Sequence, residues 1–472
     1  MATRLSRRMM IGAAALLASP GFAQLLPSVG GGQVGGAVGG VVGGVSQSAG
    51  DLGQTVGNAT QGIGTIGQSA PAGQALSGLG VEAQQGAARL AAGAYDRVET
   101  LVSSIGASSA TLLELRRMRL AMLIDAHRKE LDSDKSGNPV RRDRLIAVEP
   151  TAAQLAGAMR AGFRVEADQQ EPNLGLRVAI LAPPARERPR KALEALRRAA
   201  PGIDADYDHV FEPAGGALSP TSIALATSAA GLSAGGSRIA MVDGGVASHP
   251  ALAAATIEQR GFAGSAEATG HGTAVASLLV GNQGAFRGAA RGASLFVADV
   301  YGGNPAAGSA STIIRALGWA ASKKPRLINI SLVGPANRAI ERAIGLLRAR
   351  GIAVVASVGN DGPAAPAQYP ASYEGVIAVT GVDSNGKALI EAGRAKHLDF
   401  AAPGADMVAA LPGTGYAAVR GTSFASPLAA ARLAATGSIQ GLAAEARPGK
   451  GKVGRGIVCG TCALSPKALK SK

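Results

Sequence analysis

The sequence predicts an α/β protein with a large parallel sheet covered by helices on both faces and preceded by a smaller domain. From about residue 237 onward, short continuous apolar strands alternate with alanine-rich helices. Strands of this kind are buried on both faces, which is typical of parallel sheets. Over residues 144–211 the predicted elements follow the order β-α-β-β-α-β. A chain of 472 residues is long enough for two or three domains.

Composition and charge narrow the class of protein. Apolar residues make up 47% of the chain and aromatic residues only 3%, so its cores must consist largely of Ala, Val, Leu and Ile. The formal net charge is +15, but the sequence has no helix-turn-helix signature, zinc-finger spacing or interleaved aromatic residues. We therefore interpret the basic residues as solvated, and expect neither a nucleic-acid partner nor stable insertion into a membrane.

Residues 1–23 have the pattern of a signal peptide. The basic pair Arg7-Arg8 precedes the apolar stretch Met9–Ala18, which is too short to span a bilayer, and Gly21-Phe22-Ala23 offers small residues for cleavage after Ala23. The arginine pair is compatible with a general and with a twin-arginine signal. We expect export from a bacterial cell to the periplasm, the medium or the cell surface.

Two different segments follow this signal. Residues 24–110 are rich in Gly, Ala and Ser without a regular period, which predicts a flexible low-complexity spacer. An amphipathic helix is predicted over Thr111–Leu131, with Leu115, Met118 and Met122 near its apolar stripe.

This helix and the β-α-β-β-α-β unit form the first predicted domain, residues 111–211. Its order of elements is the ferredoxin-like arrangement. Thr151 has the residue type of a helix N-cap, and Gly162 is suited to end the same helix. The predicted strands are Arg144–Val148, Phe163–Ala167, Leu176–Leu181 and Ala205–Phe211, and the second helix is Glu187–Ala199.

Three further segments complete the predicted organisation. Residues 212–236, rich in Gly, Ala, Ser and Pro, form a linker to the larger domain at 237–446. Residues 447–472 form a basic, irregular C-terminal tail with the only two cysteines, Cys459 and Cys462, for which we expect a tight local disulfide. The predicted strands of the larger domain include Arg238–Val242, Ser294–Asp299, Arg326–Ile330, Ile352–Val358 and Val376–Thr380.

The stretch Gly421–Pro427, Gly-Thr-Ser-Phe-Ala-Ser-Pro, opens a run of small residues that predicts a buried helix. Ser423 then lies at the helix N-terminus, and Pro427 suits the first helical turn. Free N–H groups and the helix dipole favour negative charge there, which suits a nucleophile whose reaction passes through an oxyanion.

A serine nucleophile needs a base and a group that orients the base. Of the five histidines, only His271 lies in a motif, Gly270–Ala276, at the start of an apolar helix. Asp243 ends an apolar strand just before a glycine turn, where an orienting acid would be buried.

These strings, in the order Asp, His, Ser, closely resemble the catalytic motifs of subtilisin-like serine proteases. Val354–Pro363 is similar to the family's oxyanion segment, with Asn360 as side-chain donor, and Ile328–Gly334 is similar to its substrate-binding strand. The resemblance covers Arg238–Ala435 and implies a three-layer, subtilisin-like parallel sheet. It further implies that Asp243, His271, Ser423 and Asn360 are catalytic.

The resemblance also implies a substrate pocket. Gln368 takes the place where a glycine often forms the pocket floor, so we expect a short pocket and poor cleavage after Phe or Tyr. Gly244 stands where the family usually has Ser or Thr, so one hydrogen bond to Asp243 is expected to be missing. The other residues implied to bind substrate are Ser331, Leu332, Val333, Gly334, Ala356, Ser357, Val358 and Gly359.

The function implied is that of a secreted serine endopeptidase made as a zymogen, with the first domain as its propeptide. Its partners would be protein or peptide substrates and its own propeptide, and the chemistry needs no cofactor or metal. Two alternatives stay open: a catalytically inactive subtilisin-like binding or inhibitory protein, and a surface assembly protein organised by the spacer.

Overall fold

The computed structural model describes residues 109–185, 187–214, 217–221 and 233–462. The predicted signal, nearly all of the predicted spacer, part of the predicted linker and the last ten residues of the tail lie outside the described residues. Within the described ranges, no helix is long and apolar enough to cross a membrane.

The N-terminal unit is an antiparallel sheet with helices. Its strands β2 to β5 are hydrogen-bonded in the order β5-β2-β4-β3, and β1 pairs with the first part of β2. Thr151 caps α2 with a capping box, in which its side chain and that of Gln154 bind each other's backbone N–H. The elements are α1 (Ser109–Ala126), β1 (Leu131–Ser133), β2 (Pro139–Val148), α2 (Ala152–Arg160), β3 (Arg164–Glu171), β4 (Leu176–Ala182), α3 (Pro189–Ala199) and β5 (Asp204–His209).

Helix α1 differs from its prediction in length and in the face that it buries. It ends at Ala126 rather than Leu131. Met118 and Met122, predicted to lie on the apolar stripe, are 42% and 50% exposed. The exposure of both methionines shows that another stripe of α1 faces the rest of the protein.

The buried stripe of α1 includes Leu112 and the charged Arg116. The guanidinium of Arg116 is neutralised by Asp361, with Nε 3.1 Å from Oδ2. Arg119 reaches the other oxygen of Asp361 at 2.8 Å and also pairs with Glu212. A buried arginine is tolerated where a carboxylate pairs with it. Helical periodicity could not predict this burial, because the partner carboxylate is remote in sequence.

The predicted linker contains two strands. They are β6 (Glu212–Pro213) and β7 (Ala217–Thr221), and each pairs with a strand of the larger domain. Glycine and proline content predicted an irregular segment here, but the edges of the larger domain supply hydrogen-bond partners for its backbone.

The larger domain is built on a seven-stranded parallel sheet with the order β17-β16-β15-β13-β8-β12-β9. Along β8, Ile239 and Met241 lie in one core, while Ala240 and Val242 lie in the other. Both faces are therefore buried, as the apolar strands predicted. The strands are β8 (Arg238–Asp243), β9 (Thr256–Gly261), β12 (Ser294–Asp299), β13 (Leu327–Ile330), β15 (Ala353–Ser357), β16 (Ile377–Val382) and β17 (Phe400–Pro403).

Helices form the two outer layers. The core on one face contains residues of α4 (Gly270–Val280), α7 (Thr422–Thr436) and α8 (Ile439–Ala444), and the core on the other contains residues of α5 (Ala310–Ser322) and α6 (Arg338–Ala349). The predicted three-layer fold with a parallel sheet is thus confirmed. The core of α5 and α6 also takes in Ile146 and Val148 of β2 and Val178 of β4, so the N-terminal unit packs against this layer.

Short strands complete the domain. The pair β10 (Asn282–Gln283) and β11 (Phe286–Arg287) forms a hairpin, and β14 (Leu332–Val333) pairs with β6. A three-stranded antiparallel sheet has the order β18-β19-β7, with β18 at Met407–Ala410 and β19 at Tyr416–Arg420. Both segments of the predicted linker are thus held by short strands of the larger domain.

The described part of the predicted tail packs on the edge of the large sheet. Ile457 pairs with Ala401 of β17, and the buried Val458 donates its N–H to the Ala401 carbonyl at 2.8 Å. Cys459 and Cys462 form the expected disulfide. The tail up to this point therefore belongs structurally to the domain that it follows.

Candidate active site

Asp243 and His271 meet at the carboxyl edge of the large sheet. Asp243 ends β8 and is fully buried, and His271 is the second residue of α4. The Nδ1 atom of His271 lies 2.9 Å from Oδ1 of Asp243. The backbone N–H of Gly244 donates to the same oxygen at 2.7 Å. The carboxylate is thus placed to hold one tautomer and one orientation of the imidazole.

The space beside Gly244 is filled by Thr269, the N-cap of α4. A Cβ on Gly244 would lie 2.5 Å from the Thr269 hydroxyl oxygen, which itself accepts a hydrogen bond from the N–H of Gly272. Among the described residues, the second oxygen of Asp243 has no hydrogen-bond partner, as expected from Gly244. The helix cap therefore occupies the volume that a side chain at 244 would need.

Ser423 lies at the start of α7, as its motif predicted. It is the second residue of the helix and is fully buried, and Gly421 forms the N-cap with a φ of 145°. A φ in this range favours glycine. The ring of Phe424 lies 5.4 Å from that of His271, so the serine and histidine positions are neighbours.

The prediction for Pro427 was wrong. The helix begins at Thr422, so Pro427 lies within the helix rather than in its first turn. A proline there cannot donate to the carbonyl of Ser423, four residues earlier. The hydroxyl of Ser331 donates to this carbonyl instead, at 3.1 Å, and receives a hydrogen bond from Asn329 at 3.0 Å. These hydrogen bonds compensate for the missing donor.

Asn360 follows β15 and faces both the helix and a remote segment of the chain. Its Oδ1 accepts a hydrogen bond from the N–H of Thr422 at 2.9 Å. Its Nδ2 donates to the carbonyl oxygen of Ala214 at 2.5 Å, and the N–H of Ala214 donates to the carbonyl of Ser331 at 2.8 Å. Ala214 is therefore held at both backbone groups near the start of α7.

The residues before Ala214 lie as an extended strand along the larger domain. Strand β6 pairs antiparallel with β14, with Pro213 opposite Leu332 and Glu212 opposite Val333. These are strand residues that the sequence implied would bind substrate backbone. In this structure they bind a segment of their own chain.

Phe211 is also bound by Gly308 and Tyr301, two residues that the sequence analysis did not identify. Its N–H donates to the carbonyl of Gly308 at 2.8 Å, and its carbonyl accepts from the Tyr301 hydroxyl at 3.2 Å. Its ring lies against Gly334, where a Cβ would come within 2.5 Å of the ring carbon Cδ1. Tyr301 follows the carboxyl end of β12, and this position is the one signal that could have identified it.

The predicted pocket residues are partly brought together. A Cβ on Gly359 would meet Val333 at 3.2 Å and Gln368 at 3.3 Å, so these three residues lie close together. Gln368 is 2% exposed, and its amide donates to the carbonyl of Pro366 at 2.8 Å. Residues 356–358 are also buried.

A second buried carboxylate lies next to Asp243. Asp299 ends β12 directly opposite it in the parallel register. Burial raises the pKa of Asp299 above its ordinary value, and hydrogen bonds from the N–H groups of Glu267, Tyr301 and Gly302 only partly oppose this rise. Because it accepts these bonds, Asp299 holds the turn that brings the Tyr301 hydroxyl to the Phe211 carbonyl.

The arrangement of Asp243, His271 and Ser423 beside a parallel sheet is that of a serine hydrolase, a class suited to nucleophilic acyl transfer. In the described part of the chain, no group of three or more His, Cys, Asp or Glu side chains could hold a metal ion.

Comparison with known proteins identifies the family. The model of the subtilase family matches residues 234–442. Subtilisin Savinase of Lederbergia lenta is 34% identical over 204 residues, which are 42% of this chain and 74% of that protein. An alkaline protease of Alkalihalobacillus alcalophilus is also 34% identical over 204 residues, or 53% of its length. The chain belongs to the subtilase family and is a serine endopeptidase of that family.

A solved structure with the same fold is fervidolysin from Fervidobacterium pennivorans, described as a keratinolytic enzyme related to subtilisin. The two chains are 18% identical, with a TM-score of 0.58 over 71% of this chain and 61% of fervidolysin. At this identity the likeness concerns the fold alone.

Proposed function

We propose that this chain is an exported serine endopeptidase made as a zymogen, and that it cleaves itself between Ala214 and Gly215. The observation that carries the proposal is the hydrogen bond from the Asn360 side-chain amide to the carbonyl of Ala214. Antiparallel pairing of β6 with β14 supports it, because protein strands bind extended peptides through such backbone hydrogen bonds.

In the proposed reaction, the hydroxyl oxygen of Ser423 attacks the carbonyl carbon of Ala214 while His271 takes the proton. Asp243 orients the imidazole and stabilises its charged form. The imidazolium then gives the proton to the nitrogen of Gly215 as the C–N bond breaks, which leaves an ester between Ala214 and Ser423. Water, deprotonated by His271, hydrolyses this ester and restores the serine.

Asn360 and the backbone N–H of Ser423 serve as the oxyanion hole. Negative charge develops on the carbonyl oxygen in the transition state, and fixed donors in a buried site stabilise it strongly. The start of α7 adds its dipole to the same position.

We assign residues 111–211 as a ferredoxin-like propeptide. The strand order β5-β2-β4-β3 and the intervening helices support this assignment. Packing of the unit on α5 and α6 directs the chain after β5 into the site. The cleaved propeptide would remain bound by this packing and inhibit the enzyme until it dissociates or is degraded.

The proposed substrates are proteins or peptides with a small or medium residue before the scissile bond. Ala214 at this position and the buried Gln368 beside Gly359 support this preference. The pattern of residues 1–23 supports export from a bacterial cell.

The test compares the wild type with Ser423→Ala in a host without other extracellular proteases. We expect the variant to accumulate as a full-length proprotein after signal removal, and the wild type as a shorter form that begins at Gly215. Immunoblots with an antibody to the larger domain and N-terminal sequencing measure both. Ser384→Ala, at an exposed serine, is the matched control and should mature normally.

If Ser423→Ala matures to the same size as the wild type, self-cleavage by this serine is wrong. A serine-directed covalent probe separates the remaining readings. An inactive binding or inhibitory protein would not label at Ser423, whereas a protease would.

A further inference from the structure

The chain beyond Ala214 is also bound to the larger domain as a strand. Segment β7, residues 217–221, pairs antiparallel with β19, with Ala217 opposite Arg420 and Thr221 opposite Tyr416. Strand β19 ends at the residue before the Gly-Thr-Ser motif. The residues on both sides of the proposed scissile bond therefore pair with strands that lead into the active site.

We propose that the outer edge of β19 is an extended subsite for the leaving-group side of the precursor itself, used when the chain cleaves between Ala214 and Gly215. It binds the third to seventh residues after the scissile bond by adding them as an antiparallel strand. The inference rests on the proposed cleavage between Ala214 and Gly215, from which 217 is the third residue and 221 the seventh.

The hydrogen-bond alternation along β19 fixes which of its backbone groups face this edge. At the hairpin turn, the N–H of Leu411 donates to the carbonyl of Gly415 at 2.9 Å, whereas the N–H of Ala410 donates to the Ser277 hydroxyl. Antiparallel pairs alternate between bonded and non-bonded. The backbone groups of 417 and 419 therefore face β18, and those of 416, 418 and 420 face β7.

The one proline of β7 lies where this alternation needs no donor. Pro220 is opposite Ala417, whose backbone groups face β18. In this register, the N–H groups of Ala217, Ser219 and Thr221 face β19, and the N–H of Leu218 and the ring nitrogen of Pro220 face away. A proline is tolerated in an edge strand when its missing N–H would point outward. The sequence of the segment thus matches the register in which it lies.

Recognition of this kind selects extended polypeptide rather than particular side chains. Backbone hydrogen bonds are common to all sequences, and only a proline at an inward-facing position is excluded. The segment recognised is therefore residues 217–221 of this chain, which stay joined to the larger domain after the proposed cleavage.

The experiment measures self-cleavage of the full chain, where the segment is joined to the site. Four variants are compared: Ser219→Pro, Ser219→Ala, Leu218→Pro and Leu218→Ala. Each alanine variant controls for the lost side chain, so the ratio of alanine to proline rates reports the lost N–H. We expect this ratio to be about five- to tenfold at 219, the effect of one backbone hydrogen bond, and about one at 218.

Circular dichroism of each variant in a Ser423→Ala background establishes that the precursor folds. Equal ratios at 218 and 219, or no effect of proline at 219, would overturn the subsite. Absence of cleavage in the wild type would instead refute the proposed function. The two failures are thus distinguishable in one series.

Discussion

The side-chain nitrogen of Asn360 lies 2.5 Å from the carbonyl oxygen of Ala214, although 146 positions separate the two residues. This carbonyl reaches the site because the N-terminal unit packs on α5 and α6 and its last strand leads directly to β6. Arg119 helps to hold the two residues together, because it pairs with Glu212, two positions before Ala214, and with Asp361, the neighbour of Asn360. The proposed donor and a substrate-like carbonyl thus belong to one folded chain.

Replacing the donor tests the role of Asn360. We expect Asn360→Leu to lower kcat by about two to three orders of magnitude with little change in KM, because the contact strengthens only in the transition state. This magnitude is the one known for a comparable donor in a subtilisin. Steady-state kinetics on a peptide substrate measure it, with Asn385→Leu as a surface control. A rise in KM of the same size would assign Asn360 to substrate binding.

Gln368 is expected to limit the size of the residue before the scissile bond. Its buried side chain lies beside Gly359. Gln368→Gly should raise kcat/KM for Phe relative to Ala at that position by about 10–200-fold, the usual value of added apolar contact in a pocket. A peptide library screened with both enzymes checks this. A wild type that already prefers Phe and Tyr would contradict the prediction.

The contact between Gly334 and Phe211 should determine preference at the fourth residue before the bond. A Cβ on Gly334 would lie 2.5 Å from the ring. We expect Gly334→Ala to slow self-cleavage about tenfold or more, and Phe211→Ala in the same chain to restore part of the rate. Such non-additivity is the mark of residues in direct contact. Additive effects in the four rates would show that the two residues act separately.

Gly244 and Thr269 should be coupled in the same way. A serine at 244 would overlap the Thr269 side chain, so Gly244→Ser should destabilise by about 1–3 kcal/mol. Combining it with Thr269→Ala frees the space and gives Asp243 a possible second donor, although the cap of α4 is lost. Thermal unfolding in a Ser423→Ala background measures this coupling. We expect the double variant to be much more stable than the sum of the two single destabilisations would make it.

Asp134 makes the precursor's stability depend on acidity. Burial favours a higher pKa for Asp134, but hydrogen bonds from His209 and Asn138 outweigh it and lower the pKa to about 2, against 3.8 when free. A carboxyl group whose pKa is lower in the folded state stabilises the folded protein at pH values above its unfolded pKa. This contribution is lost as the pH falls through the folded pKa.

The measurement compares melting temperatures of Ser423→Ala with and without Asp134→Asn. The gap between them should be fully developed at about pH 5 and above, and should narrow as the pH falls from about 4 to about 2. A gap that stays constant over this range would mean that Asp134 contributes through packing rather than through its charge.

The local sequence was sufficient for the parallel sheet and for the positions of the proposed catalytic residues. Burial on both faces of a sheet demands continuous apolar strands, so the strand that ends in Asp243 is visible in a short stretch of sequence. The Gly-Thr-Ser string before small residues is a short-range pattern of the same kind. The Gly-Thr-Ser string also places Ser423 at a helix start, where free N–H groups lie.

Other features depend on partners that are distant in sequence, so only the tertiary structure decided them. Arg116 is buried because Asp361 neutralises it, and Pro427 is tolerated within α7 because Ser331 supplies the hydrogen bond that a proline cannot. The predicted linker contains strands because the edges of β14 and β19 offer it unpaired backbone groups. Local propensity does not determine which strand edge or which charged side chain a segment will contact. These contacts are set only when the whole chain packs.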